Sequence, residues 1–491
     1  MNCNDLVQTH YYRDIKVEGK SPEQIAIEEL QKEVEDLRVD LTTTDTDLTT
    51  LTNDFNGFRD KFVIVYPTDT DAVVQQKINT AGINKIIFAT GTYDNITTTK
   101  TIPSNKILIG YGAIINMPAT LDRLVLFMNN SDGTIGGWNA NENITLLGFT
   151  FNCSNAQEGS STETLGFLHS RHIIIKDCTF HSLHNTGGHF IEFCGCYGCI
   201  VDSCYFYDYP AGSEMLQLDT ASDVGAFPPI GGPWDNTESA AIVITNNQFE
   251  NPQTYTAERG ADTFPAAIGN HNKGGRTIAH CKIVGNTFAN ITTAIRSVGI
   301  SSTVISNNTS YGVFNFFSVG SDSNAATTAK YAGNIITNNS INCAAKVATV
   351  TVTDSYKCTA ITYNGANTVI ADNQIWNASA DGIIMRGHDN VISNNRISNC
   401  GRSGISLVTT DGISITGNHC TFNAEKNVDT SDADIRASGQ KDCIISDNTV
   451  NKMFIYTDKA GNPIINNLIT QTLTNTGGTA HNNMIYGVWT A

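Results

Sequence analysis

Charge is scarce in this 491-residue chain, and positive charge scarcer still. Only 16% of residues are charged, and 30 Lys and Arg against 47 Asp and Glu leave a net charge of −17. That balance excludes nucleic acid and anionic membranes as partners, because a binder of polyanions needs a positive surface. It also argues against a strongly acidic substrate. Long apolar runs are missing too: no stretch approaches the roughly 18 residues of a membrane span, and no charged-then-apolar leader opens the chain. The sequence therefore reads as a soluble protein made in a cytosol. Thirteen cysteines, an odd number, predict reduced core thiols there instead of disulfides. Cys194, Cys196, Cys199 and Cys204 have ligand-like spacing, but no second knuckle follows them, and no calcium-loop motif is present, so neither metal nor cofactor is expected.

What the chain does have is Asn, Thr, Ser, Gly and Ile, the material of stacked β-structure with many turns. Residues 21–62 are the exception. Ser21-Pro22-Glu23-Gln24 forms a helix start, and Ile27, Leu30, Val34, Leu37, Leu41, Thr44, Leu48, Leu51, Phe55, Phe58 and Phe62 follow at spacings of three and four. That seam predicts a parallel coiled coil and hence an oligomer, with dimer against trimer left open by its mixed a and d residues. Beyond it the sequence predicts a short helix over Asp71–Ala81, strands over Lys85–Ala89 and Lys106–Ile109, and a turn at Gly91-Thr92-Tyr93.

Then one phrase repeats: apolar residues, two or three polar ones, Asn or Cys, and a further apolar residue, as in IVITNNQF, VISNNTS and VISNNRI. Its Asn/Cys slot falls at Cys178, Cys204, Asn247, Asn286, Asn308, Asn339, Asn373, Asn395, Asn418 and Asn448. The tightest intervals, 286 to 308 and 373 to 395, are 22 residues. A unit that short cannot bury its own apolar face, so the copies must stack. Coiled parallel strands with asparagines hydrogen-bonding inside the turns satisfy that need. Asn307-Asn308-Thr309 accordingly reads as turn chemistry and not as a glycan acceptor.

Taken together, the coiled coil, the DTDAVVQQKIN helix, IIFATGTY, ILIGYGA and the NNT-type coils resemble bacteriophage tailspikes and their pectate-lyase-like relatives. The resemblance covers roughly residues 63–460. It implies an all-β, right-handed, single-stranded parallel β-helix behind the coil, a homotrimer, a bacterial surface polysaccharide as substrate, and residues 1–20 as the attachment to a phage tail or baseplate. The implied domains are 1–20, 21–62, a helix-plus-strand cap at 63–118, the β-helix at 119–460 with insertions around 205–283, and an end segment at 461–491. Such a protein is made in the host cytoplasm and acts outside it, on the virion.

Four coils align by their inward residues Ile191, Leu216, Ile268 and Ile295. The next outward slot then reads Glu192, Gln217, Gly269 and Arg296, and the slot two residues on reads Cys194, Asp219, His271 and Val298. Two ladders on one solvent-facing sheet surface follow, with Gly269 as a gap for a ligand. Combining about 4.8 Å between strands with about 6.8 Å along one puts Glu192 and Asp219 roughly 8 Å apart. That suits inverting glycoside hydrolysis, whose carboxyls lie about 6.5–9.5 Å apart. The expected catalytic residues are Asp219, Glu192 and His271. Expected binding residues are Gln217, Arg296, Glu214, and Asp235, Glu238, Trp234 and Tyr207 from the first insertion, whose flat rings suit sugar faces. A lyase using His271 as base, and a non-catalytic receptor-binding fibre, remain open alternatives. Asp381, Arg386, His388, Asp389, Asp429, Asp432 and Asp434 read as solvated turn residues.

Overall fold

The computed structural model describes residues 61–119, 125–129, 133–156, 162–183, 188–209, 214–222, 232–251, 266–270, 277–297, 299–319, 331–343, 358–421, 423, 433–438, 442–456, 463–476, 479–481, 483–485 and 488–490. The chain divides into two compact units, Met1–Val63 and Ile64–Ala491. The expected attachment segment and the seam up to residue 60 lie outside the described residues, as do His271, Val298, Asp429 and Asp432. Phe62, expected to close the seam, opens a strand instead, Phe62–Val65.

Helix Asp71–Ile78 starts at Thr70, whose hydroxyl accepts from Val73 N, and it buries Val74 and Ile78. Gln75 holds it on strand Lys100–Ile102, its amide donating to Thr101 O at 2.8 Å and accepting from Thr101 N at 2.9 Å. One side chain thus satisfies groups that an unpaired strand edge would leave bare. Strands Lys85–Phe88 and Ile107–Ile109 pair in parallel, and Gly91–Tyr93 is itself a strand instead of a turn, paired with Ala113–Asn116.

Three rows of parallel strands follow. One is a sixteen-stranded sheet. The second consists of three-residue strands such as Thr179–His181, Tyr205–Tyr207 and Gln248–Glu250, each pairing with its equivalent one turn on. The third holds longer strands: Glu163–Leu168, His189–Cys194, Glu214–Asp219, Ala266–Gly269 and Thr293–Ser297. Rows two and three merge at Thr449–Tyr456, which pairs with a strand of each. Among the described residues the inward slots are mostly apolar, Ser310 being an exception. In the second row Phe151, Phe180, Phe206, Phe249 and Phe288 stack with ring centroids 5.0, 4.9, 4.7 and 5.3 Å apart. Each such pair contributes about 0.5–1.5 kcal/mol beyond its buried area.

The repeated polar phrase has two jobs. Its first residue takes a left-handed backbone: Asn246, Gly285, Asn307, Asn338, Asp372, Asn394, Gly417, Asp447 and Asn466 all have φ between 55° and 72°. Asn, Asp and Gly bear that conformation most readily. The second residue is the buried asparagine. Asn373 shows the pattern: its backbone N and Nδ2 both donate to Asn395 Oδ1 at 3.0 Å, and Nδ2 also reaches Ile336 O at 2.9 Å. Its own Oδ1 accepts from Asn339 N and Nδ2 at 3.0 and 2.9 Å. The column begins where Cys204 N donates to Asn247 Oδ1, so Cys204 occupies the predicted slot. It also passes residue 460, through Asn467 to Asn483, and parallel strands continue to Val488–Thr490, so the expected end segment continues the coil. Asn308 is in the column and buried, as a turn asparagine should be. The twelve described cysteines are buried, Cys178 and Cys204 among them.

Candidate functional site

In the third row the expected register is the observed one. Ile191 pairs with Leu216, Leu216 with Ile268 and Ile268 with Ile295, which aligns Glu192, Gln217, Gly269 and Arg296 and sets Cys194 beside Asp219. One rung earlier, Gly166 aligns with Glu192.

A corner of the coil adds members that strict alternation hides. Phe190 packs on Phe180 and Phe206 inside, and Phe193 stacks on Phe167 inside, so Phe190 and Ile191 are consecutive inward residues. The parity flips between them, and His189 faces out together with Glu192. Glu163 pairs with His189 and so shares its slot. Glu214 stands at the equivalent place one rung on, where its carbonyl accepts from His189 Nδ1 at 2.6 Å.

The result is a cluster of Glu163, Glu192, Glu214, Gln217 and Asp219, and it is not solvent-facing as expected: Gln217 is 3% and Asp219 4% exposed, and the three glutamates are as buried. Only Arg296 is open, its side chain half exposed and 3.7 Å from Glu214 Oε1. Nor is Gly269 a gap. A Cβ there would lie 2.3 Å from Glu214 Cγ, so the missing side chain makes room for Glu214 to cross toward Arg296.

The electrostatics of the cluster are set by burial. Burial pushes the Glu192 carboxyl well above the usual carboxylate range; Glu163 and Asp219, then a hydrogen bond with Glu163, and Glu214 push it the same way. Burial raises Glu163 to about 8 against the opposing effect of that bond. Gln217 Nε2 donates to Asp219 Oδ2 at 2.6 Å. Among the described residues, Glu163 Oε2, Glu192 Oε1 and Gln217 Oε1 are buried without a hydrogen-bond partner. Buried polar atoms are rarely left so, at a cost of about 1–3 kcal/mol each, and a donor-rich ligand would satisfy them.

The first insertion supplies structure over the next column. Trp234 packs on Val125, Met128, Leu168, Cys194 and Ala221. Asp235 accepts from Gly137 N at 2.7 Å and from Thr237 N and Oγ1 at 2.9 and 2.6 Å. Partial burial alone would raise that carboxyl, but the hydrogen bonds, with His169 nearby, hold it below its ordinary value. Glu238 contributes a backbone carbonyl to Trp138 Nε1 at 2.9 Å. These residues clamp a segment beside the cluster. Tyr207 stands on the second row, stacked on His181, a different face of the coil from Asp219.

Two residues expected to be solvated are buried instead. Asp381 accepts from Ser403 N and lies 3.7 Å from Arg402, and Asp434 accepts from Asn423, Asn451 and Lys452 backbone N–H groups. Both hold turns together. His388 and Asp389 do lie at the surface, beside an open depression of about 640 Å³ shared with Asp411 and Asp442. It lies five rungs from Gln217, about 24 Å along the coil, too far to serve the cluster.

A family model described as "Right handed beta helix region" matches residues 269–450 and 342–491. No curated protein matches the sequence. Among solved structures, a tailspike protein double mutant of E. coli bacteriophage HK620, in complex with a pentasaccharide, is similar at 12% identity and TM-score 0.53, covering 88% of this chain and 79% of that one. A mannuronic acid specific polysaccharide family 6 lyase from human gut microbiota is similar at 12% identity and TM-score 0.50, over 86% and 91%. The surface adhesin PfbA of Streptococcus pneumoniae aligns at 16% identity and TM-score 0.46, over 86% and 88%. The two structures with TM-scores of 0.50 or more speak for fold alone at identities this low, and with the family match, the parallel rows and the asparagine column they make this chain a right-handed parallel β-helix.

Proposed function

We propose that the chain is a bacteriophage tail spike that binds a bacterial surface polysaccharide and cuts it by inverting glycoside hydrolysis. The observation that carries this reading is the buried carboxyl cluster, in which burial holds protons on Glu192 and Glu163 and three oxygens await donors. Glycoside hydrolysis needs one protonated and one ionised carboxyl. Glu192 is the acid that protonates the leaving oxygen. Asp219, one rung and two residues away in the observed register, is the base that takes a proton from water. Gln217 orients Asp219, and Arg296 and Glu214 bind sugar oxygens at the open edge. His271 stays a candidate for tuning Asp219. The two similar structures with TM-scores of 0.50 or more, one complexed with a pentasaccharide and one a polysaccharide lyase, support a polysaccharide as substrate.

A lyase would have to neutralise a uronate among four carboxyls with one exposed arginine already beside Glu214, which favours hydrolysis. Incubation with a panel of bacterial surface polysaccharides tests the reading. New reducing ends without absorbance near 235 nm are expected; an unsaturated product would make the chain a lyase, and no shortening of any polymer would make it a binding fibre.

Glu163, which sequence reasoning missed, keeps Glu192 protonated. Activity should therefore persist until Glu192 loses its proton, well above the usual carboxylate range, and Glu163→Gln should move that alkaline limb to lower pH. A limb that stays in place would show that the two carboxyls share no proton. Stability has the same sign. The folded Glu163 holds its proton to about 8 while the unfolded one loses it near 4.5, so stability is fullest at low pH and declines across that window. The slope is at most about 1.4 kcal/mol per pH unit, and Glu163→Gln should flatten it.

The reading includes a homotrimer joined through the 21–62 seam and carried on the tail by residues 1–20. Leu37→Glu would bury an unpaired charge in that seam at a cost of several kcal/mol per chain. The solution mass of the variant should fall toward one chain; an unchanged trimer would assign assembly to the β-helix.

A further inference from the structure

Outward positions of the second row often carry Thr, Ser or Asn, but three successive turns, and a fourth two rungs on, carry rings and polar side chains. On strand Tyr205–Tyr207 the middle residue Phe206 is buried and both tyrosines face out, half-buried. His181, one rung below, lies against Tyr207 with ring centroids 4.9 Å apart and planes 11° from parallel, and Tyr205 lies against Tyr207 at 4.8 Å and 25°. One rung above, Glu250 Oε2 accepts from Tyr205 OH at 3.1 Å and Gln248 Nε2 at 2.9 Å. Two rungs further, Tyr311 aligns with the Tyr207 column across Ala289 and is 43% exposed.

We propose that Tyr205, Tyr207 and Tyr311, with His181, Gln248 and Glu250, form a glycan-binding platform separate from the carboxyl cluster, taking the uncharged sugar units of a polysaccharide. This rests on the depolymerase reading for the polymer but not for the platform's own chemistry. Tyr207 is stacked between His181 and Tyr205 and backs the platform, so the outer face of Tyr205 and the exposed Tyr311 are the apolar surfaces offered to the C–H faces of a sugar, while the carboxylate and amide beside them accept and donate to its hydroxyls. Rungs about 4.8 Å apart are close to the length of one hexose, and Tyr207 and Tyr311 lie three rungs apart in one column with Glu250 and Ala289 between them, so the two tyrosine rungs meet units about three apart along one glycan. Burial, with Glu250 close by, pushes the Tyr205 hydroxyl up to about 12, which keeps it a neutral donor.

The alternative occupant, a second copy of the chain, fits less well. Interface cores are depleted of charge, whereas these rings are interleaved with Glu250, and with the Ser182–Asp208 pair that adjoins His181. The strands ending at His181 and Tyr207 lead within a few residues into those beginning at His189 and Glu214, so the platform and the cluster flank one corner of the coil. A polymer held on the first is delivered to the second.

The test is affinity electrophoresis of the full chain through gels containing a neutral glucan, a galactomannan, and whichever surface polysaccharide it shortens. Retardation by at least one is expected, undiminished in Asp219→Asn and weakened at least tenfold in Tyr205→Ala/Tyr311→Ala. The Tyr→Phe pair keeps the rings and should keep binding; Tyr311→Ala alone, at an open position, repeats the measurement without risk to the fold. A retarded Asp219→Asn beside a wild type that cuts nothing would sink the depolymerase reading and leave the platform standing. Retardation by no polymer, or retardation untouched by the tyrosine changes, would overturn the platform. A lower solution mass in the double variant would overturn it too, by assigning the face to subunit contact.

Discussion

An Asp219→Asn protein should still bind its polysaccharide and no longer cut it. The substitution removes the proposed base and its charge but little else. The new side chain keeps an oxygen for Gln217 Nε2, and the backbone carbonyl of residue 219 keeps its bonds from Gly195 N at 2.8 Å and Ser239 Oγ at 2.6 Å. Replacing a buried carboxylate by a neutral amide also removes the cost of keeping a charge out of water, so the melting temperature should hold or rise. Turnover, counted as new reducing ends, should fall by about 10²–10⁴, the usual worth of a general base. Glu192→Gln should do the same, whereas Gln217→Ala should weaken binding more than turnover. A variant that shortens polymer at nearly the wild-type rate would move the chemistry away from this row altogether.

Asn373→Leu should be the most damaging single change in the scaffold. Leucine is close to asparagine in size, so the harm is not one of packing. It deprives Asn339 N and Nδ2 of their shared acceptor, takes a donor from Ile336 O, and leaves Asn395 Oδ1 with one of its two donors from that side. At about 1–3 kcal/mol for each buried group left unsatisfied, the loss is on the order of 5 kcal/mol. Asn373→Asp should cost no less, because a carboxylate restores the acceptor and none of the donors. Thermal unfolding followed by circular dichroism reads this directly; a midpoint within a degree or two of wild type would mean the column contributes little to stability.

The scaffold was legible because its repeat advertises two needs at once. A left-handed residue followed by a buried amide leaves Asn-Asn, Asp-Asn or Gly-Asn in almost every turn, and the inward isoleucine before it fixes the register. That was enough to align Glu192, Gln217, Gly269 and Arg296 before any coordinates. Glu163 was hidden by the corner at Phe190-Ile191: counting by twos from Leu165 places it inward, and the slot that does align with Glu192 holds Gly166. Burial was illegible for another reason. Whether a strand's outer face meets water depends on chain that crosses it, and nothing in EMLQLD announces Trp234 nearby. Gly269 looked like an opening because an absent side chain gives no hint of which neighbour fills its place.

The asparagine column also governs which changes in length the gene can accept. A residue gained or lost inside VISNNRI would pull one amide out of line and unseat every turn beyond it. From Cys204 to Asn247, by contrast, the interval is 43 residues where 22 suffice elsewhere, yet Asn247 still meets Cys204 N at 2.8 Å. Insertions and deletions are therefore filtered by place: forbidden at the column, free at the far corners where the chain leaves and rejoins the rungs. A lineage can exchange whole loops at those corners, and with them what the surface recognises, while inheriting the coil unchanged.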